Sequence, residues 1–237
     1  MKFYKMEEQS FELINGKNRD IPSVSGYLLS NEKRILLEKL RKGENIEKNI
    51  VFDYFVMMGF GDKRTWERTQ KDVHGYFSVG AGQNSFFISL KTKDIFEKFV
   101  RYDTVRFYKS KLLFKNIKHD YWIMKIYYDY VNHFIFPQSL FSIHDSITNE
   151  LILEFENTFS SNLDFENKVM DFQKKKQKFY VTKATFDKFS DIIILNSYFS
   201  NSGIYISEKL KIELETNQIT GLNFIKTDII FCFLSSR

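Results

Sequence analysis

The histidines of this chain, with the carboxylates beside them, are the residues best suited to acid–base chemistry. The 237 residues include four of them, His74, His119, His133 and His144. His119 and His144 each stand directly before an aspartate, and a small hydrolase uses such a His–carboxylate pair as a general base. Neighbours on a strand point to opposite faces. A working pair would therefore have to form across the fold rather than between neighbours.

The spacings that define metal and cofactor sites are missing from the sequence. No two histidines stand four residues apart, and Cys232 is the single cysteine, so helical zinc sites and multi-cysteine sites are excluded. The glycine-containing segment 80–85 lacks the third glycine of a dinucleotide fingerprint and the Lys-Ser/Thr of a phosphate loop. We predict no catalytic residue, no metal and no cofactor, and we expect that the chain is not an enzyme.

A repeated unit is the most informative pattern in the chain. Phe-Phe-Ile-Ser-Leu-Lys-Thr-Lys at residues 86–93 recurs as Ile-Tyr-Ile-Ser-Glu-Lys-Leu-Lys at residues 204–211. In each copy an apolar run meets a serine, a charged helix-favouring stretch follows, and a second apolar run begins, at residues 105 and 222. A partial third copy at residues 179–187 has threonine in place of the serine. The pattern predicts strand, helix and strand in each copy.

The serine of each copy stands where a helix begins and its first amide groups lack partners. A Ser or Thr hydroxyl accepts a hydrogen bond from one of these groups and caps the helix. We therefore predict structural caps at Ser89, Thr182 and Ser207. The alternative, a nucleophilic serine, has no Gly-x-Ser-x-Gly elbow to support it.

The elements that must position these residues are mostly strands. The 26 Phe and 13 Tyr favour pleated, half-buried surfaces, and helices are predicted at residues 31–42, 90–99 and 162–173. We predict an α+β fold of mostly antiparallel sheets with a few short helices, built from strand–cap–helix–strand units and arranged as two packed lobes. The predicted division is an N-terminal lobe of residues 1–84 and a region of residues 85–237 that contains the repeats.

Charge and hydropathy limit the partners and the location. The net charge of +5 is modest and dispersed, and the lysine run 174–178 is typical of a solvated helix end. Nucleic-acid binding is therefore not favoured, although this run would serve a nucleic-acid-binding accessory protein. No segment approaches the roughly 20 apolar residues of a membrane span. We expect a cytoplasmic protein without a membrane partner.

One polar segment combines the residue types of a recognition loop. Arg64, Trp66 and Arg68 stand close together between two apolar runs, and Trp and Arg are enriched among residues that dominate binding energy. We predict that these three residues contact a partner. A tryptophan folded back onto the core, with the arginine stems over it, is the other interpretation.

Residues 202–211, followed by 219–224, resemble the C-terminal signature of bacterial immunity proteins from polymorphic-toxin systems. The similarity is to immunity families eleven and forty-three, the former long a domain of unknown function. Members similarly have an earlier helix that starts at a serine, here residues 89–99. A tyrosine-rich strand and a serine-containing segment then follow, here residues 121–126 and 138–139. The resemblance extends over residues 85–227.

The resemblance implies an intracellular protein that binds one cognate toxin domain and blocks it by occlusion. The net positive charge favours a partner surface that is neutral or acidic. Two other functions stay open: a small hydrolase that uses a histidine with a carboxylate, and the nucleic-acid-binding accessory protein. The sequence leaves the oligomeric state open.

Overall fold

The computed structural model describes residues 1–9, 11–14, 17–20, 23–58, 70–100, 104–127, 133–156, 159 and 162–234, with only the backbone for 11–14 and 17–20. Four α-helices lie in this part of the chain: α1 (Asn31–Arg41), α2 (Leu90–Phe99), α3 (Asn162–Lys174) and α4 (Glu208–Thr216). A short 3₁₀ helix spans Phe136–Gln138.

Sixteen strands form the sheets within these described ranges. The first eight are β1 (Phe3–Glu8), β2 (Phe11–Ile14), β3 (Lys17–Asp20), β4 (Ser23–Ser25), β5 (Val51–Met58), β6 (Val73–His74), β7 (Ser85–Ser89) and β8 (Val105–Phe114). The others are β9 (Ile117–Ile126), β10 (Leu140–Asp145), β11 (Leu151–Glu156), β12 (Gln177–Phe186), β13 (Ile192–Leu195), β14 (Gly203–Ser207), β15 (Leu222–Lys226) and β16 (Ile230–Phe233). The predicted α+β class is confirmed, and antiparallel pairs dominate apart from β5–β8 and β12–β16.

The chain divides into two compact units. We call the unit of Met1–Met6, Asp129–Lys211 and Phe224–Arg237 the phenylalanine unit, and the unit of Glu7–Tyr128 and Ile212–Asn223 the six-stranded unit. The predicted division lies after residue 84, whereas strand pairing joins residues on both sides of that point. β7 pairs with β6 on one side and with β9 on the other, which places the first repeat copy in the six-stranded unit.

The six-stranded unit is built on the sheet β4-β5-β8-β9-β7-β6. β8 alternates buried and more exposed residues over much of its length because one face of the sheet is packed. Tyr108 and Leu112 on that face are fully buried against Leu37 and Leu40 of α1. The Ser30 hydroxyl caps α1 by accepting from the amide of Lys33 at 3.3 Å.

The phenylalanine unit contains two four-stranded sheets, ordered β11-β10-β12-β16 and β13-β14-β1-β15. Its core is a cluster of aromatic rings around Phe141, whose ring stacks on Phe179 with centroids 5.2 Å apart. Phe165 of α3 is fully buried in the same cluster, 5.9 Å from Phe179. Phenylalanine side chains therefore form the core of this unit, in addition to favouring its strands.

The partial third copy of the repeat does not form a strand–cap–helix unit. Thr182, for which a helix cap is predicted, lies inside the ten-residue strand β12. Pairing with β10 on one side and with β16 on the other keeps this segment extended. Strand pairing thus overrides the local resemblance to a cap, and the prediction for Thr182 is corrected.

Candidate protein-binding site

Ser89 joins β7 to α2 through two hydrogen bonds of its side chain. Its hydroxyl accepts from the amide of Thr92 at 3.3 Å, which caps the helix, and donates to Asp72 Oδ1 at 2.9 Å. The backbone amide of Ser89 also donates to the carbonyl oxygen of Asp72 at 2.7 Å. One aspartate therefore holds both the backbone and the side chain of the capping serine.

Ser207 repeats this arrangement between β14 and α4. Its hydroxyl accepts from the amide of Leu210 at 3.2 Å and donates to Asp191 Oδ1 at 2.5 Å. The amide of Ser207 donates to the carbonyl oxygen of Asp191 at 2.9 Å. The two serines are predicted from the sequence but the two aspartates are not, because Asp72 and Asp191 stand 17 and 16 residues earlier, each directly before a strand, β6 or β13.

A lysine four residues after each serine lies over aromatic rings of the neighbouring strands. Lys93 Nζ is 4.7 Å from the ring centroid of Trp122, and Lys211 Nζ is 4.9 Å from that of Tyr4. The same two lysines lie within 6 Å of the rings of Phe107 and Phe224, respectively. Such cation–π contacts are worth about 0.5–1 kcal/mol at exposed sites. The repeated serines and lysines thus have a structural role in each copy.

The strand order is also repeated, although one strand comes from a different part of the chain. The order β6-β7-β9-β8 in one sheet corresponds to β13-β14-β1-β15 in the other. Ser89 pairs with Tyr121 of β9, and Ser207 pairs with Phe3 of β1. β1, at the start of the sequence, therefore occupies in the second copy the place that β9 has in the first.

The predicted partner-contact residues Arg64, Trp66 and Arg68 lie outside the described residues. The described lysines of the run 174–178 lie where α3 ends and β12 begins. Lys174 pairs with Asp171 at 3.4 Å, and Lys178 Nζ donates to Asn149 Oδ1 at 3.3 Å. This is the helix end and turn that the sequence predicts.

The histidines lie in different environments. His74 is buried, and its Nε2 accepts from the amide of Lys71 at 3.1 Å. His119 is half-buried beside the ring of Phe114. His133 Nδ1 lies 2.7 Å from Asp187 Oδ1, so one His–carboxylate pair forms between residues far apart in the sequence.

Asp145, the carboxylate that follows His144, is directed into its own turn. Its Oδ1 accepts from the amides of Thr148 and Ile147, both at 2.8 Å. These hydrogen bonds hold the pKa of the Asp145 carboxyl below its ordinary value. The Nδ1 of His144 instead lies 3.1 Å from the carbonyl oxygen of Asn149. Adjacency in sequence does not create a His–Asp pair at this position.

The edge strand β11 exposes consecutive apolar side chains. β11 is the outermost strand of the sheet β11-β10-β12-β16. Leu151, Ile152 and Leu153 are 58%, 50% and 51% exposed, and Ile147 in the preceding turn is 82% exposed. Single exposed apolar residues are normal, but a contiguous group on a sheet edge marks an interaction surface. We call Ile147, Leu151, Ile152, Leu153, Glu154 and Glu156 the β11 edge.

The β11 edge combines this apolar group with negative charge. Glu154 and Glu156 are exposed and follow directly after the apolar residues. Leu153 lies on the same face of the strand as Phe155, whose ring reaches the aromatic core beside Phe141, whereas a bulge at Ile152 places Leu151 beside His144 on the other face. The end of the strand near the turn extends beyond that core. An edge strand with apolar and acidic side chains is suited to bind an extended segment of another protein.

Comparison with protein-family models and with curated proteins finds no match to this chain. No helix in the described part of the structure is long and apolar enough to cross a membrane. Among the same residues there is no group of three or more His, Cys, Asp or Glu side chains that could hold a metal ion. The surface geometry therefore provides the evidence on which a function is proposed.

Proposed function

We propose that this chain is an immunity protein that binds one cognate antibacterial toxin domain in the cytoplasm and blocks it by occlusion. The observation that supports the proposal most directly is the β11 edge, with three consecutive apolar residues at least half exposed. A protein that acts by binding needs a surface whose burial supplies free energy. Burial of apolar surface provides about 25 cal/mol per Å².

Addition of a strand to the β11 edge would give both affinity and register. Free backbone groups of an edge strand supply main-chain hydrogen bonds, while alternate side chains select the partner sequence. Leu153 pairs with Ile143 and Leu151 pairs with His144, so these two side chains lie on opposite faces of the sheet, on either side of a bulge at Ile152. The expected toxin segment is extended and apolar, with basic side chains opposite Glu154 and Glu156.

The overall charge and the local charge act at different distances. The net charge of +5 steers a neutral or acidic protein surface toward this chain at long range. Contact at the β11 edge depends instead on Glu154 and Glu156, since screening limits interactions of exposed charges to about 8–10 Å. An acidic toxin with a basic contact strand would satisfy both conditions.

The decisive experiment uses the protein encoded beside this chain as the candidate toxin. Co-expression should relieve its toxicity, and purification of one protein should retain the other in a stoichiometric complex. If the neighbouring product is neither toxic nor bound, the immunity function is refuted.

Variants of the β11 edge locate the binding surface. The double variant Ile152→Glu/Leu153→Lys should raise the dissociation constant of the complex by about a hundredfold or more, because hot-spot residues contribute at least 2 kcal/mol each. The matched control is Ile117→Glu, which changes an apolar residue of similar exposure, 61%, at the start of β9. The control should bind normally. A complex that forms equally well with both variants would place the interface elsewhere while leaving the immunity function intact.

A further inference from the structure

A pocket in the phenylalanine unit, lined by apolar and polar side chains, is not used by the binding function proposed above. The pocket has a volume of about 430 Å³. Strands β10 and β12 form one wall with Ser142, His144, Tyr180 and Thr182. These side chains lie on the face of the sheet opposite the aromatic core, because Phe141 and Phe179 alternate with them along the strands.

The hydrogen bonds of His144 determine which of its nitrogens holds the proton. Nδ1 lies 3.1 Å from the carbonyl oxygen of Asn149, which can only accept, so Nδ1 is the protonated nitrogen of the neutral ring. Nε2 is then an acceptor, and Ser142 Oγ lies 3.1 Å from it. The serine hydroxyl therefore donates to the imidazole. This is the orientation in which histidine removes a proton from a nucleophilic serine.

Asn149 is itself held in place by its side chain. Its Oδ1 accepts from Lys178 Nζ and from the hydroxyl of Tyr180, both at 3.3 Å. The ring of Tyr180 also packs edge-on against His144, with centroids 4.8 Å apart. In a catalytic triad a third group orients the histidine that acts as the base. The backbone carbonyl of Asn149 has this role for His144.

Thr182 provides a second, independent sign of a ligand. Leu140 of β10 pairs with Lys183 of β12, whereas the next residue, Phe141, pairs with Val181. Thr182 is therefore the extra residue of a β-bulge. Bulges are frequent next to active sites. The Thr182 hydroxyl is buried and has no hydrogen-bond partner within the described structure. A buried hydroxyl of this kind is costly unless a bound molecule satisfies it.

The remaining charges of the pocket indicate the substrate class. Two lysines, Lys5 and Lys226, line it against one aspartate, Asp228. We propose that Ser142 is a nucleophile that cleaves small esters bearing an anionic group, with His144 as its general base. The Ser142–His144 site adjoins the β11 edge, because His144 pairs with Leu151, but neither function requires the other.

The reaction balances with water as the second reactant. Ser142 Oγ attacks the acyl carbon as its proton passes to His144 Nε2, and the Thr182 hydroxyl donates to the oxyanion that forms. Collapse of the tetrahedral intermediate breaks the bond between the acyl carbon and the leaving oxygen. This oxygen takes the proton from His144. Water then attacks the acyl-serine with His144 again as base, which releases the carboxylic acid and restores the serine.

Labelling with a fluorophosphonate, a reagent that bonds covalently to activated serines with loss of fluoride, tests the nucleophile. The wild-type protein should gain one adduct, located on Ser142 by peptide mass spectrometry. Ser142→Ala should lose it, and His144→Gln should slow labelling by about a hundredfold or more, as expected for loss of a general base. Ser202→Ala, a serine change elsewhere in the same unit, is the control and should label normally.

Two results would overturn the proposal. One is a folded wild-type protein, verified by circular dichroism, that labels no faster than Ser142→Ala. The other is equal labelling of wild-type and His144→Gln. The substrate class is tested with para-acetoxybenzoate and phenyl acetate, which differ in one carboxylate. The anionic ester should be cleaved faster by the wild type, and Lys226→Gln should remove that preference; equal rates in the wild type would exclude the anionic class.

Discussion

Each capping serine works as part of a set that also contains an aspartate. The Ser207 hydroxyl is buried and bonded both to the amide of Leu210 and to Asp191 Oδ1. The same pair of bonds holds Ser89 to Thr92 and Asp72. A set that recurs with the same roles in both units indicates that the repeat is a structural duplication.

Ser207→Ala should lower the free energy of unfolding by about 2 kcal/mol. The variant loses the helix cap, worth about 1 kcal/mol, and leaves Asp191 without its hydroxyl donor. Urea denaturation measures the change, with Ser202→Ala as the control. A loss below a few tenths of a kcal/mol would show that the hydroxyl has no capping role.

A buried lysine fixes the glycine-containing segment that precedes the first repeat. Lys125 is 5% exposed, and its Nζ donates to the carbonyl oxygens of Gln83 at 2.7 Å and Ala81 at 3.3 Å. Burial lowers the pKa of the Lys125 ammonium group. This segment is therefore a partly exposed turn that a side chain from β9 holds in place.

The lowered pKa of Lys125 predicts a pH dependence of stability. The unfolded chain retains its proton to higher pH than the folded protein, so the free energy of unfolding rises with pH between the folded and the unfolded pKa values. Lys125→Met removes this contribution. Urea denaturation from pH 7 to about pH 10 should show wild type gaining stability relative to the variant. Parallel profiles would contradict a lowered pKa.

At the scale of elements, the N-terminal strand is a central strand of its sheet. β1 lies between β14 and β15. Lys5 pairs with Tyr205 of β14. The first residues of the chain thus complete the sheet that holds the second repeat copy.

A proline in β1 tests this central position. Lys5→Pro removes a backbone donor from the middle of the strand, which central strands do not tolerate, and should cost about 3 kcal/mol or more. Lys2→Pro, placed just before the strand, is the matched control and should have a much smaller effect. Thermal unfolding compares the two variants. Equal melting temperatures would mean that β1 is dispensable for the sheet.

At the scale of the whole molecule, three elements have residues in both units. β1, α4 and β15 each run from one unit into the other, with the changes after residues 6, 211 and 223. The boundary between the units therefore falls inside regular hydrogen-bonded elements rather than inside linkers. The two units are therefore expected to unfold in one transition.

A core variant in the phenylalanine unit tests this coupling through a probe in the six-stranded unit. Phe141→Ala empties the centre of the aromatic cluster and should cost about 3–5 kcal/mol. Trp122 fluorescence, recorded in a Trp66→Phe background, should report the same shift of the denaturation midpoint as circular dichroism. A Trp122 transition that keeps its wild-type midpoint would show that the units unfold independently.

The local structure of this protein follows from contiguous residues. Ser89 and Ser207 stand before helix-favouring stretches, and apolar runs with β-branched and aromatic residues become strands, because caps and side-chain periodicity act within a few residues. The α+β class and the strand–serine–helix units could therefore be predicted from the sequence alone. Thr182 is the instructive exception, since the same local pattern became a bulged strand between two neighbouring strands.

The tertiary structure alone decided which distant segments meet. The aspartates beside the capping serines, the place of β1 next to β14 and the exposed position of β11 all depend on strand pairing. Pairing partners are chosen by the packing of whole faces and by register, and neither is encoded in a short window of sequence. For that reason the sequence determined the building units of this protein, and the fold determined its surfaces and its pocket.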